Sequence, residues 1–188
     1  MIILLRIYKK IRSLCTIAKY KLIYGDKFSC SWNVNIAPSV RIRISKTMGG
    51  GVIIGDRCSF REHVILNATG GKISIGEDCF FNDFVCINAR SEIEIGSKTI
   101  LGQAVKLYDH DHDFQSGNLR DLFICDSIII GDNVWIGSNV SVLKGTTIGN
   151  YCVIGANSLI KKRIEDYTLY YNKIVPHCER IIIQNEIT

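Results

Sequence analysis

Proline occurs only twice in 188 residues, and the first 25 residues contain no Asp or Glu at all. With apolar residues at 47% and charged residues at 22%, the lack of proline excludes a disordered, proline-rich or collagenous chain and points to one packed domain. No apolar run approaches the roughly 18 to 20 residues that cross a bilayer as a helix. Eight cysteines are present, yet no C-x-x-C or C-x-x-x-x-C pair occurs among Cys15, Cys30, Cys58, Cys79, Cys86, Cys125, Cys152 and Cys178. Zinc-ribbon and dithiol motifs are thereby excluded, and the cysteines read as unpaired thiols. No secretory leader is recognised, because "MIILL" is short, lacks a basic region before it and is followed by charges every few residues. A cytoplasmic, thiol-reducing compartment is expected. Basic charge is scarce beyond the N-terminus: the net charge is +5 and the first 25 residues carry +6, leaving −1 for the rest, which excludes a nucleic-acid footprint on the body of the protein.

What is present is a period of six. Residues 130–165 divide into IGDNVW, IGSNVS, VLKGTT, IGNYCV, IGANSL and IKKRIE. An aliphatic residue opens each unit, four units follow it with Gly, and the fifth position is small or β-branched. Six is neither the helical period nor plain strand alternation, so this is an internal repeat. Each hexad supplies a short flat strand and a bend. Its first and fifth residues face inward, and its Gly is expected to give the turn its unusual dihedrals. Three hexads close a triangular coil of about 18 residues, and stacked coils pair their backbones along the axis. Less perfect hexads begin at residues 36, 54, 60, 75, 81, 95 and 101. Phase slips near 45–52, 67–74 and 88–94 read as corner loops. Cys58, Cys79 and Cys152 occupy the fifth position and are expected to be core fillers.

The fold expected is therefore an all-β solenoid over residues 30–165, interrupted by a protruding loop at 113–123 and followed by an extension over 166–188. Ahead of it, residues 1–29 hold a basic amphipathic helix in which Ile3, Leu4, Ile7, Ile11, Leu14 and Ile17 recur at helical spacing. That helix can cap the open end of the stack, lie on a membrane surface as a peripheral contact, or do both. Histidine is also scarce, four in all, and two of them fall in "LYDHDHDF" at 107–114, where the hexad register fails. Loops on a rigid scaffold are where chemistry tends to sit.

The block "IIIGDNVWIGSNVSVLKGTTIGNYCVIGANSLIKK" resembles the hexapeptide-repeat acyltransferases, with similarity over roughly residues 34 to 165, and is most similar to their sugar and capsular or O-antigen O-acetyltransferase branch. The resemblance implies a left-handed parallel β-helix, a homotrimer, acetyl-CoA as co-substrate, no metal, a saccharide acceptor, and a site between subunits. It implies His112 as the general base, with His110 the second candidate, and Asp109, Asp111, Asp113 or a backbone carbonyl orienting the ring. One imidazole titrating near neutrality suffices to take a proton from a sugar hydroxyl. It further implies Asn82 beside the acceptor, the Ser138 backbone N–H facing the oxyanion, Trp135 lining the cleft, and Ala156, Lys161 and Lys162 along CoA. The chain departs from the family pattern at "LYYNKIVPHCERI", where relatives carry a Gly-x-Pro-Ala turn. Two alternatives stand beside this reading. One is N-acylation of an amino sugar nucleotide; the other is a γ-carbonic-anhydrase-like metal site built from His110, His112 and a third ligand such as His63.

Overall fold

The computed structural model describes residues 2–45 and 47–173. Helix α1 (Ile2–Tyr24) precedes a parallel β-solenoid of triangular section. Its first face stacks seven strands from Phe28–Cys30 to Arg163–Ile164, its second face seven from Asn35–Ile36 to Leu169–Tyr170, and its third face six from Arg41–Ile44 to Leu159–Ile160. Within each face every pairing is parallel. The solenoid therefore runs past residue 165, and residues 174–188 lie outside the described residues. No helix of the described residues is long and apolar enough to cross a membrane.

Coil length is less regular than the hexads imply. Ile130 pairs with Ile148, the expected 18 residues on, but Val52 pairs with Ile73 and Ile73 with Ile93, coils of 21 and 20. The extra residues lengthen strands. Ile65–Ala68, Lys72–Ile75, Cys86–Ala89 and Glu92–Ile95 each run four residues, so most of 67–74 and 88–94 is strand and only 69–71 and 90–91 turn.

The core is one column of Ile, Val and Leu from alternate strand positions, with the Phe60 and Phe81 rings stacked at 4.5 Å. Cys58, Cys79 and Cys152 are buried in it as expected. Their thiols donate to carbonyls of the next coil: Gly76 at 3.0 Å, Gly96 at 3.1 Å and Glu165 at 3.1 Å. The seven described cysteines are all free thiols.

The hexad glycine works differently from the expectation. Left-handed backbone falls on the fourth position, at Arg57, Asp78, Lys98, Asn133 and Tyr151 among others, with φ between 55° and 57°. Glycine at position two instead allows close approach: a Cβ on Gly76 would lie 2.6 Å from the Ser97 nitrogen, and on Gly137 2.7 Å from the Ala156 nitrogen. The stacking distance between coils leaves no room for a side chain there.

Helix α1 caps the first coil with its polar face. Ser13 Oγ donates to the Val34 carbonyl at 3.0 Å and accepts from Ile36 N–H at 2.8 Å; Tyr20 Oη donates to Val40 at 2.9 Å and accepts from Ile42 N–H at 3.2 Å. An open strand edge exposes unpaired backbone groups, and these hydroxyls satisfy them. Of the apolar residues at helical spacing, only Ile17 is buried; Ile3, Leu4, Ile7 and Ile11 point to solvent.

Candidate functional site

The repeat breaks between Ile95 and Ile130, which pair directly although 35 residues apart. Part of that excess is a hairpin: His110–His112 pairs antiparallel with Phe123–Cys125, His110 opposite Cys125 and His112 opposite Phe123. Both histidines thus stand on a strand, and the connecting loop carries exposed Phe114, Leu119 and Leu122.

The three aspartates of "DHDHD" do three different things. Asp109 is fully buried. Its carboxylate accepts Arg90 N–H at 2.9 and 3.0 Å, Ser91 N–H at 2.7 Å and His110 Nδ1–H at 2.8 Å, while its carbonyl accepts Asp126 N–H at 2.9 Å. A buried carboxylate persists only when its oxygens are satisfied in this way. Asp111 lies 3.3 Å from Lys144 Nζ, which also donates to the Ile124 carbonyl and ties the hairpin to the next coil. Asp113 accepts Gln115 and Ser116 N–H and shapes its own turn. No aspartate reaches His112; its Nδ1–H donates to the Leu119 carbonyl. Each contact calls for a proton on Nδ1, so the neutral form of either ring has its lone pair on Nε2. His110 is mostly enclosed, with 15% of its side chain exposed, and His112 is exposed. The Phe123 ring lies 5.5 Å from the His110 ring and 4.6 Å from that of His112, and Arg90 sits over it at 3.3 Å.

The remaining candidates fall on two corners. Asn82, Ser138 and Ala156 lie at the corner where the second face turns into the third, Asn82 one residue nearer its strand than the other two. Asn82 Oδ1 accepts Asp83 N–H at 2.9 Å, as a turn residue does. Gly102 lies under Ser138, and a Cβ there would come within 2.7 Å of the Ser138 nitrogen; Gly137 stands in the same relation to Ala156. Neither N–H enters the ladder between coils. Trp135, on the second face itself, is 56% exposed. The histidines and the exposed Lys161 and Lys162 follow strands of the third face, at its opposite end; Lys162 Nζ sits 4.7 Å from the centre of the Tyr170 ring. One chain does not bring the two sets together. His63 stacks on Phe84 at the Asn82 corner, away from the other histidines, and among the described residues no three His, Cys, Asp or Glu side chains converge as metal ligands would. A cavity of about 460 Å³ between α1 and the first coils, lined by Lys9, Arg12 and Arg61 among others, contains none of these candidates.

Sequence reasoning missed Arg90 and Phe123, and left Asp109 as one of three aspartates. Strand alternation inward from Leu107 reaches Asp109, and that was a usable signal.

Residues 127–162 match the family model for bacterial transferase hexapeptide (six repeats). WbbJ of Escherichia coli K12, named for lipopolysaccharide biosynthesis as an O-acetyl transferase, is 33% identical over 165 residues, covering 82% of this chain and 74% of that protein. The chain belongs to the hexapeptide-repeat acyltransferase family. Another member, Rv3034c of Mycobacterium tuberculosis, named an acetyltransferase, is 38% identical over 81 residues, which are 42% of this chain and only 27% of that longer protein. Among solved structures the family fold recurs in AntD, an N-acyltransferase from Bacillus cereus in complex with dTDP and 3-hydroxybutyryl-CoA. Its TM-score is 0.70 at 20% identity, with 82% of each chain covered.

Proposed function

We propose that the protein transfers an acetyl group from acetyl-CoA to a saccharide hydroxyl in bacterial surface polysaccharide biosynthesis, with a hairpin histidine as general base. The carrying observation is the Asp109–His110 pair. The sequence resemblance favours His112, but His110 rests on a carboxylate locked by three backbone donor contacts, whereas His112 is held by a loop carbonyl at an exposed hairpin position. A base works best on rigid, supported geometry, so we place it at His110. Nε2 takes the hydroxyl proton as the oxygen attacks the thioester carbon. The tetrahedral oxyanion is met by a backbone N–H such as that of Ser138, and its collapse expels the CoA thiolate, which recovers the proton. No acyl-enzyme forms. The name of WbbJ supports a polysaccharide hydroxyl as acceptor.

The site is completed between subunits of a homotrimer. On the second face Phe80, Ile100, Trp135, Val153 and Leu169 stand in register as one outward apolar stripe, the kind of surface a partner covers. Such contact brings one chain's Ser138 corner toward another's hairpin. The test mixes two inactive proteins, His110→Ala and Ser138→Pro, refolded together. Shared sites restore about a quarter of wild-type transfer, since one interface in four pairs two intact halves. No recovery, with both variants binding acetyl-CoA calorimetrically, defeats the shared site; failure of the wild type to bind acetyl-CoA defeats the activity itself.

A further inference from the structure

A surface helix of a soluble protein normally turns its apolar stripe inward. Helix α1 does the reverse. Its buried side is Ser13, Thr16, Ile17 and Tyr20, while Leu4, Ile7, Ile11, Ala18 and Leu22 recur at helical spacing on the opposite side. Leu4 is 72% exposed, Ile11 54% and Leu22 88%. Along one flank of this stripe lie Lys10 and Lys21, along the other Arg12 and Lys19, and the helix contains no acidic residue. The first turns extend past the coil, so that residues 3–9 are exposed on every side, with Ile3, Leu5 and Tyr8 added to the apolar surface.

We infer that this outward face docks on the surface of an anionic bilayer. An apolar stripe bordered by cations on both flanks matches the lipid interface, where acyl chains receive the stripe and phosphate headgroups the flanks. A second copy of the same face would bring six-fold basic helices against each other, with no acid in either to offset them. Because α1 lies across the N-terminal end of the stack, through its bonds to Val34, Ile36, Val40 and Ile42, the bilayer lies across that end and the coils rise from it. This inference stands apart from acetyl transfer, and either can fail alone.

The experiment floats the full chain with vesicles of phosphatidylcholine, with and without phosphatidylglycerol, and follows unfolding and acetyl-CoA binding on the same samples. The wild type is expected to float with the anionic vesicles. Leu4→Ser/Ile7→Ser/Ile11→Ser, all on exposed positions, lowers that partition by at least about a hundredfold. Arg12→Glu/Lys19→Glu lowers it by about thirtyfold or more, and high salt weakens the wild type in the same direction. Three results overturn the inference: no flotation of folded wild type, undiminished flotation of the folded serine variant, or a wild-type oligomer in sedimentation velocity that the serine variant loses without vesicles present.

Discussion

Replacing Asp109 by Asn keeps the shape of the side chain and removes its charge. The carboxylate now serves four donor contacts: two from Arg90 N–H, one from Ser91 N–H and one from His110 Nδ1–H. An amide has a single acceptor oxygen, which the backbone N–H groups of Arg90 and Ser91 claim. Its NH2 is then left facing His110. Nδ1 must become an acceptor, the ring proton moves to Nε2, and the lone pair proposed to receive the substrate proton is lost from the open side. The expected fall in kcat is about 10² to 10⁴ with KM for acetyl-CoA unchanged. At least one charge-assisted bond is lost in a fully buried position, which costs about 2 to 3 kcal/mol and lowers Tm by about 4 to 12 °C. The assay is acetyl transfer to a responsive saccharide from a panel, read as loss of thioester absorbance, alongside thermal unfolding. His110→Ala should lose the same activity with a smaller change in Tm, and His112→Ala should lose about tenfold or less. An Asp109→Asn variant that unfolds earlier but keeps kcat within about threefold would refute the reasoning, as would an active His110→Ala protein beside an inactive His112→Ala one.

Two backbone substitutions should have opposite signs in thermal unfolding. Ala104 holds φ at 58°, and Ala104→Gly should stabilise by about 1 kcal/mol, whereas Gly137→Ala, with backbone 2.7 Å from its new Cβ, should cost about 1 to 3 kcal/mol. Burial pushes the Cys30 thiol from 9.0 up to about 11. The unfolded chain therefore gives up this proton first, and stability falls between pH 9 and about 11 by about 3 kcal/mol more in the wild type than in Cys30→Val, as denaturant titrations at several pH values will read. Trp135→Glu, placing a charge in the apolar stripe of the second face, should yield monomers in sedimentation velocity and lose transfer together with assembly.

The solenoid was legible because each hexad repeats one inward pattern, and six units in phase over 130–165 leave little else to form. Coil length was not. The extra residues in "KISI" and "EIEI" alternate as any strand does, so they lengthen strands without leaving a mark that separates them from a corner. The facing of α1 was not legible for a related reason: apolar spacing identifies a helix and its stripe, but Ser13 and Tyr20 answer the unpaired edge of the first coil, a partner absent from any local pattern. At the site, histidines on a register break were conspicuous. Their support was not, because Arg90, Ser91 and Phe123 come from a lower coil and from the far strand of the hairpin.

The proposed site lies where the periodicity fails, and the structure gives a physical account of that coincidence. Regular coils present flat faces whose outward side chains alternate without converging, so a repeat alone builds no pocket. The insertion after Tyr108 adds the one antiparallel pair in the described residues. Asp109 fastens it from the coil below and Lys144 from the coil above. Asp109 is thus a folding residue and a positioning residue at once: the bonds that close the Arg90 turn also set the tautomer of His110. Evidence on the proposed base must accordingly come from His110, where side-chain removal leaves the backbone bonds of Asp109 in place, and Asp109 would then report how far the proposed role depends on the coil beneath it.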